Sequence, residues 1–166
     1  MKQTLSHLNE QGEACMVSVI SKNPTERCAV AGCKIRMKPE TLVLLRSRNL
    51  KKGDAFTVAK IAGIMAAKKT YELIPLCHPL PLEQIEIRFL DGAGGDDSLL
   101  IESEVKTSAK TGVEMEALTA AAVAALTLYD MVKGYDPGVV IENLHLIKKT
   151  GGKSDYSFEG WNHNRE

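Results

Sequence analysis

Gln84-Ile85-Glu86-Ile87-Arg88-Phe89 alternates strictly between polar and apolar side chains. A period of two predicts a strand with one buried face and one wet face. Leu99 to Val105 reads as its partner, and Asp91 to Asp97 (DGAGGDD) predicts the hairpin loop between them. Upstream, Ala14 to Ile20 and Arg27 to Met37 are rich in Val, Cys and Ala with partial alternation, and predict two further strands with a turn at Asn23-Pro24. Val139 to Ile147 is the last expected strand. Helical spacing governs the rest. Pro39 to Leu45 predicts a short helix with Pro near its first turn. Asp54 is expected to N-cap a helix through about Tyr71, with an apolar stripe of Val58, Ile61, Ala62 and Met65 and with Lys68 and Lys69 at its cation-favouring end. Leu73 to Leu82 contains Pro75, Pro79 and Pro81, which exclude a helix and predict a rigid extended loop in its last part. The longest helix is expected from Thr111-Gly112 through about Lys133, with a stripe of Leu118, Ala122, Ala125 and Tyr129 and a stop at Gly134.

Two hairpin-like strand pairs, two longer helices and a final strand predict an α+β sandwich. No repeat or linker divides the chain, so residues 1–166 are expected to form one domain. A polar N-terminus and a polar tail from Ser154, about residue 155 onward, are expected to be flexible. A chain of this length buries roughly 70% of its unfolded surface, so it can build a core without staples.

Charge narrows the function classes. Lys+Arg and Asp+Glu both number 21, and this balance argues against a global nucleic-acid footprint. The N-terminal stretch carries no apolar signal-peptide core, and no apolar run is expected to span a membrane. Cys15, Cys28, Cys33 and Cys77 form no CxxC pair, which weakens zinc and thioredoxin readings and suits a reducing cytoplasm.

Several groups could carry chemistry. Thr150-Gly151-Gly152-Lys153-Ser154 ends like a P-loop, but the pattern requires a Gly five residues before Gly152, where Ile147 stands. What remains is a Gly-Gly turn flanked by Lys148, Lys149 and Lys153. It could present backbone N–H groups to phosphate, or be only a solvated basic turn. In Leu76-Cys77-His78-Pro79-Leu80, neighbours in an extended chain point to opposite sides, so Cys77 and His78 are poor joint metal ligands. His78 is either a hydrogen-bonding or acid–base group of a pocket, or a loop histidine satisfied by backbone. Glu114 and Glu116 lie in the first turns of the long helix, where the dipole stabilises carboxylates. Asp130 and Lys133 can pair at i, i+3, as any such surface pair does. Glu116 and Asp130 face within roughly 40° of each other but lie about 21 Å apart along the axis. They cannot both touch one small reacting centre within one chain, so a shared site needs a long ligand or a second subunit. Arg27, Lys52, Lys68, Lys133, Lys149 and Lys153 are scattered; singly each is solubilising charge, and converged they would suit a polyphosphate.

A family resemblance gathers these residues. Lys52-Gly53-Asp54, Ala62-Gly63-Ile64, Ala67 to Thr70, Leu73 to Leu80, Lys110 to Ala120, Tyr129-Asp130-Met131 with Lys133, and Gly151 to Ser154 resemble the cyclic pyranopterin monophosphate synthase family of molybdenum cofactor biosynthesis. The likeness runs from about Met16 to Ser154. It implies a ferredoxin-like α+β sandwich, an antiparallel sheet packed against two long helices. It also implies a homohexamer built as a trimer of dimers, with sites at subunit interfaces. The implied reaction is that of a lyase, converting cyclised dihydro-GTP (3',8-cyclo-7,8-dihydro-GTP) to cyclic pyranopterin monophosphate and pyrophosphate without metal or organic cofactor. By motif, Asp130, Lys52 and Lys133 match the catalytic positions. Leu76, Cys77, His78, Met115 and Glu116, with Glu114 beside them, match substrate-contacting positions. Arg27, Lys68, Lys149 and Lys153 match basic positions around the phosphates. The chain departs at Ser18, where the family commonly has Asp, and at Ser108-Ala109, where it commonly has Thr-Gly. The rival readings are a GTP or pterin sensor using the same basic pocket, and a purely structural oligomer.

Overall fold

The computed structural model describes residue 8 and residues 11–48, 50–92 and 97–161. Its elements are β1 (Thr25–Arg36), α1 (Pro39–Arg46), α2 (Ala55–Lys68), α3 (Thr70–Leu73), β2 (Gln84–Asp91), β3 (Ser98–Ala109), α4 (Glu114–Val132), β4 (Val140–Thr150) and β5 (Tyr156–Ser157). The strands make one antiparallel sheet in the order β2-β3-β1-β4-β5. Without the short β5, this is the βαββαβ connectivity of a ferredoxin-like sandwich, as expected.

Alternation decides the layers. Ala29, Ala31, Cys33 and Ile35 of β1 and Leu99, Ile101 and Val105 of β3 are buried beneath the helices. Above them α4 lays down a face of Ala117, Ala120, Ala121, Ala124, Ala125, Leu128 and Val132. The small side chains let α4 lie close to α2, whose Gly63 meets it. A Cβ on Gly63 would stand 2.8 Å from Ala120 O and 3.3 Å from Ala124 Cβ. α4 is long and apolar enough to cross a membrane by length and composition alone, contrary to the expectation that no run is. In this fold it is the core helix, with nine buried residues against the sheet and α2.

Asp54 caps α2 as expected. Its Oδ1 accepts from Phe56 N (3.1 Å) and Thr57 N (3.3 Å), and its Oδ2 from Thr57 Oγ1 (2.9 Å). These bonds, the Thr57 hydroxyl first, hold the Asp54 carboxyl below its ordinary range.

Several expectations need correction. Ala14 to Ile20 is not a strand: only Ala14 forms an isolated bridge, to Leu8, and Ile20 is 84% exposed. Both edges of β1 are already taken by β3 and β4, so no ladder remains there for it. The helix from Asp54 ends at Lys68, and α3 follows as a separate turn that includes Leu73. The stripe Val58, Ile61 and Met65 faces outward at 43%, 57% and 46% exposure. The face of α2 turned to the core is instead Ala55, Ala59, Gly63, Ala66 and Ala67, because close packing against α4 admits only small side chains. Gly134 follows α4 but is not left-handed; the helix closes through bonds from Lys133 N to Tyr129 O and from Tyr135 N and Asp136 N to Val132 O. Within the expected tail from Ser154, β5 pairs with Lys148 and Lys149, and the chain continues over the sheet to Trp161. The tip of the expected hairpin loop, 93–96, lies outside the described residues, as do residues 1–7 and 162–166.

Candidate active site

The start of β1, the turn after β4 and the segment from β3 into α4 meet at one end of the sandwich. There they line a cavity of about 510 Å³. The turn is built around Gly151, at φ +84°, where a Cβ would fall 1.8 Å from Glu26 O. Only glycine fits that position. Thr25 Oγ1 donates to Gly151 O (2.8 Å) and fixes the turn to β1. Gly151 N, one of the N–H groups that could have faced an anion, donates to Asp155 Oδ1 (3.2 Å). The anion-attracting groups are therefore side chains. Lys22, Arg27, Lys110, Lys149 and Lys153 line the cavity against one carboxylate, Glu114. Glu114 Oε1 lies 3.2 Å from Lys149 Nζ, and Lys110 Nζ donates to Ile20 O (3.0 Å). A concave wall with such an excess of one sign focuses its field on an anion.

A second cavity, of about 380 Å³, shares Lys22, Thr111, Gly112 and Glu114 with the first. Its other walls include Val17, Leu76, Cys77, His78, Met115 and Glu116. Cys77 N donates to Ile74 O (3.0 Å), which turns the Pro-braced loop inward. His78 Nε2 lies 2.9 Å from Val17 O. A carbonyl only accepts, so Nε2 carries the hydrogen, and Nδ1 of the neutral ring is left as an acceptor. The backbone thus satisfies one nitrogen while the ring still lines a cavity, so both sequence readings of His78 hold in part. Glu116 is 4% exposed, and burial, opposed by its own backbone N–H and assisted by the Glu114 charge, pushes its carboxyl up to about 7. Burial, with help from Glu116, also raises the Cys77 thiol. Apolar walls with a few fixed polar groups suit a flat heterocycle.

The third cluster lies at the opposite end of α4. Lys133 Nζ sits 2.7 Å from Asp130 Oδ1, and Lys52 Nζ sits 3.5 Å from Asp130 Oδ2 and 2.8 Å from the Asp130 carbonyl. The hydrogen bond and charge of Lys133, then the charge of Lys52, hold the Asp130 carboxyl below its ordinary range, and Asp130 raises Lys133. All three side chains are more than half exposed. Exposed pairs of this kind stabilise a fold little. The cluster thus adds little to stability and leaves one carboxylate and two ammonium groups accessible at this end of α4.

One chain brings Arg27, Lys149, Lys153, Glu114, Leu76, Cys77, His78, Met115 and Glu116 together, and Lys52, Asp130 and Lys133 together, but it does not join the two groups. Sixteen residues of helix separate Glu114 from Asp130, about 24 Å at 1.5 Å per residue. Lys68 is exposed at the end of α2 and lines neither cavity. Sequence reasoning missed Lys22 and Val17, which reach the site from an irregular segment with no periodic signal. Lys110 stands in the Lys110 to Ala120 motif, whose spacing alone does not mark it as a cavity wall. Among the described residues, no group of three or more His, Cys, Asp or Glu could hold a metal ion.

Residues 16–152 match the model of a family described as the MoaC family. The chain is 54% identical over 154 residues to a cyclic pyranopterin monophosphate synthase of Brevibacillus brevis, covering 93% of this chain and 95% of that protein. It is 54% identical over 150 residues to that of Thermomicrobium roseum, covering 90% of each. A synthase of the same name from Listeria monocytogenes is 52% identical over 153 residues, covering 92% of this chain and 94% of its own.

Proposed function

The chain belongs to the MoaC family, and we propose that it converts cyclised dihydro-GTP to cyclic pyranopterin monophosphate with release of pyrophosphate, as a lyase of molybdenum cofactor biosynthesis. The observation that carries this reading is the pair of adjoining cavities, which share four lining residues. One is lined by five cations for a triphosphate, the other by apolar groups and a near-neutral carboxyl for a purine-derived ring. Arg27, Lys149 and Lys153, with Lys22 and Lys110, bind the triphosphate and stabilise charge on the departing pyrophosphate. As the cyclic phosphate forms, a sugar-derived hydroxyl oxygen bonds to the α-phosphorus and the bond to the pyrophosphate oxygen breaks with its electron pair. The hydroxyl proton needs an acceptor, and opening and rebuilding the purine ring needs several proton transfers. Asp130, kept ionised by Lys133 and Lys52, is the acceptor, and the two lysines return protons. Glu116 and His78 orient the ring, with Leu76, Cys77 and Met115 packed about it. Lys68 lines neither cavity of its own chain, so like Lys52, Asp130 and Lys133 it would reach the substrate only across a subunit interface.

The split between the two ends of α4 supports an oligomer in which Asp130, Lys52 and Lys133 of one subunit face the cavities of another. The outward apolar residues Val58, Ile61 and Met65 of α2 and Leu126 of α4 supply a surface for it. We take the assembly to be a hexamer, a trimer of dimers, acting in the cytoplasm, with each chain folding as one domain.

Subunit mixing tests both statements. Asp130→Asn should lower turnover of the cyclised substrate by at least about 100-fold with little change in affinity, because the amide cannot take the proton. A Lys149→Ala, Lys153→Ala double variant should lose substrate binding. Mixed after dissociation, the two inactive proteins should regain activity through sites that combine one intact half from each. No regained activity would refute the shared site. Tight binding of the substrate by wild-type protein without turnover would favour a sensor.

A further inference from the structure

The last described stretch of the chain crosses the sheet face away from the helices. After Ser154 the chain returns as β5, pairs Tyr156 with Lys149 and Ser157 with Lys148, and adds a bond from Phe158 N to Ile147 O (2.7 Å). It then runs to Trp161, whose indole is seated by three independent features. Nε1 donates to Glu102 Oε2 (3.2 Å), and Glu102 is 1% exposed. Arg88 fixes that carboxylate from the other side, its Nε and Nη2 both donating to Oε1 (3.0 and 2.6 Å). The ring lies over Gly32, where a Cβ would fall 2.7 Å from Trp161 Cζ2. Finally, His145 meets the ring edge-on at a centroid distance of 5.1 Å and Phe158 at 4.6 Å. The His145 ring is itself held by Nδ1–H donating to Asn143 O (2.6 Å), where β4 is irregular and Asn143 takes φ +56°.

A buried carboxylate clamped by Arg88 is an elaborate anchor for a tail if its only task is to shield a sheet. The position of the strap in the chain supplies a further task. Lys149 belongs to the stretch of β4 that β5 pairs with, and Lys153 sits in the turn that joins the two strands. Without β5, Lys149 keeps its pairing with Ala29 of β1, but the outer edge of β4 is unpaired and the turn beyond Thr150 relies on Thr25 Oγ1 at Gly151 O and on Gly151 N at Asp155 Oδ1, a residue of the strap itself. Long lysine side chains on a frayed hairpin must be ordered when an anion binds, which weakens binding.

We propose that Trp161 is a positioning residue for the substrate: by anchoring the C-terminal strap to Glu102 and Gly32, it holds the β4–β5 hairpin so that Lys149 and Lys153 face the triphosphate cavity. This rests on the reading that those two lysines bind the triphosphate. Trp161 touches neither cavity, and the proton-transfer cluster lies on α4 away from the strap. Loosening the strap therefore acts only through Lys149 and Lys153, on triphosphate binding and on the leaving charge they stabilise, and not through the Asp130 cluster.

The test uses the full-length protein and four variants: Trp161→Ala, Trp161→Phe, Gly32→Ala and Lys153→Ala. The readouts are KM and kcat for the cyclised substrate and the calorimetric Kd of inorganic pyrophosphate. Trp161→Ala is expected to raise KM and the pyrophosphate Kd roughly 3- to 10-fold, the cost of ordering one or two long side chains, with any fall in kcat no larger than that of Lys153→Ala. Gly32→Ala, which pushes the indole off the sheet from β1, three residues along from the Ala29 that pairs with Lys149, should do the same. Trp161→Phe keeps a ring over Gly32 without the N–H, and should recover part of the affinity. If Lys153→Ala weakens both ligands and Trp161→Ala weakens neither, the strap does not position the lysines, while the triphosphate assignment stands. If Lys153→Ala changes neither ligand, the triphosphate assignment falls and the proposal with it. A lower melting temperature in Trp161→Ala without change in KM or pyrophosphate Kd marks a strap that only stabilises the fold, and overturns the proposal.

Discussion

Glu116 shows how little a residue's type says about its state. In the sequence it is one of two carboxylates at the start of a helix, with the dipole as sufficient explanation. In the fold it is buried at the floor of a cavity, and its carboxyl is pushed up to about 7. A carboxyl that holds its proton better when folded stabilises the fold fully below its unfolded value, about pH 4.3, and that contribution is lost as pH rises to about 7. Native protein should therefore lose about 3 kcal/mol relative to Glu116→Gln between pH 4.5 and 8 in urea unfolding. A constant gap between the two proteins would mean the carboxyl is not desolvated. The site residues carried by compact motifs, such as Leu76 to Pro79 and Lys110 to Glu116, were legible because their spacing is local. Lys22 was not, since it enters from an irregular segment and becomes a cavity wall only through the fold. Nor was the fate of Gly151 N: nothing in the residue order says that Asp155 would accept its hydrogen.

The elements themselves were mostly legible. β2 was read from strict alternation, the start of α2 from its Asp54 cap, and the Pro-braced loop from ring geometry. The faces of the helices were read less well. Hydropathy ranks Val58, Ile61 and Met65 as core, yet the contact that organises the helix layer is made by alanines and Gly63. At a close crossing the constraint is the volume available, not the transfer free energy of the side chain. Gly63→Ala isolates the point. Alanine is the better helix former by about 1 kcal/mol, yet its Cβ would press on the backbone oxygen of Ala120. Overpacking of this kind costs typically 1–3 kcal/mol, so the variant should unfold at lower denaturant, by up to about 2 kcal/mol net. A more stable variant would mean that α2 and α4 can separate without loss. The early strand expected at Ala14 to Ile20 failed for a related reason. Its alternation was a property of the segment, whereas a strand also needs a free edge, and β1 has none.

At the scale of the molecule, the architecture expected from strand and helix order is the one found, but a single sandwich leaves an apolar helix surface open and its reactive groups divided. Met65→Asp, placed on that surface away from both cavities, should dissociate the assembly while the circular dichroism of the fold is retained, and activity should disappear with it. Sedimentation showing an unchanged oligomer, or full activity in a dissociated protein, would remove α2 from the interface. Whether α2 met a partner was not legible from its own residues, since an outward Ile61 looks the same in the sequence as an inward one. The placement of the two half-sites at the two ends of α4 also has a statistical consequence. If each complete centre draws one half from each of two chains, a chain defective in both halves spoils two centres. In a randomly mixed population with a fraction f of such chains, the surviving centres number (1 − f)² of the total. A protein half of whose chains are defective keeps a quarter of its centres, so impaired copies would be dominant over sound ones well before they are in the majority.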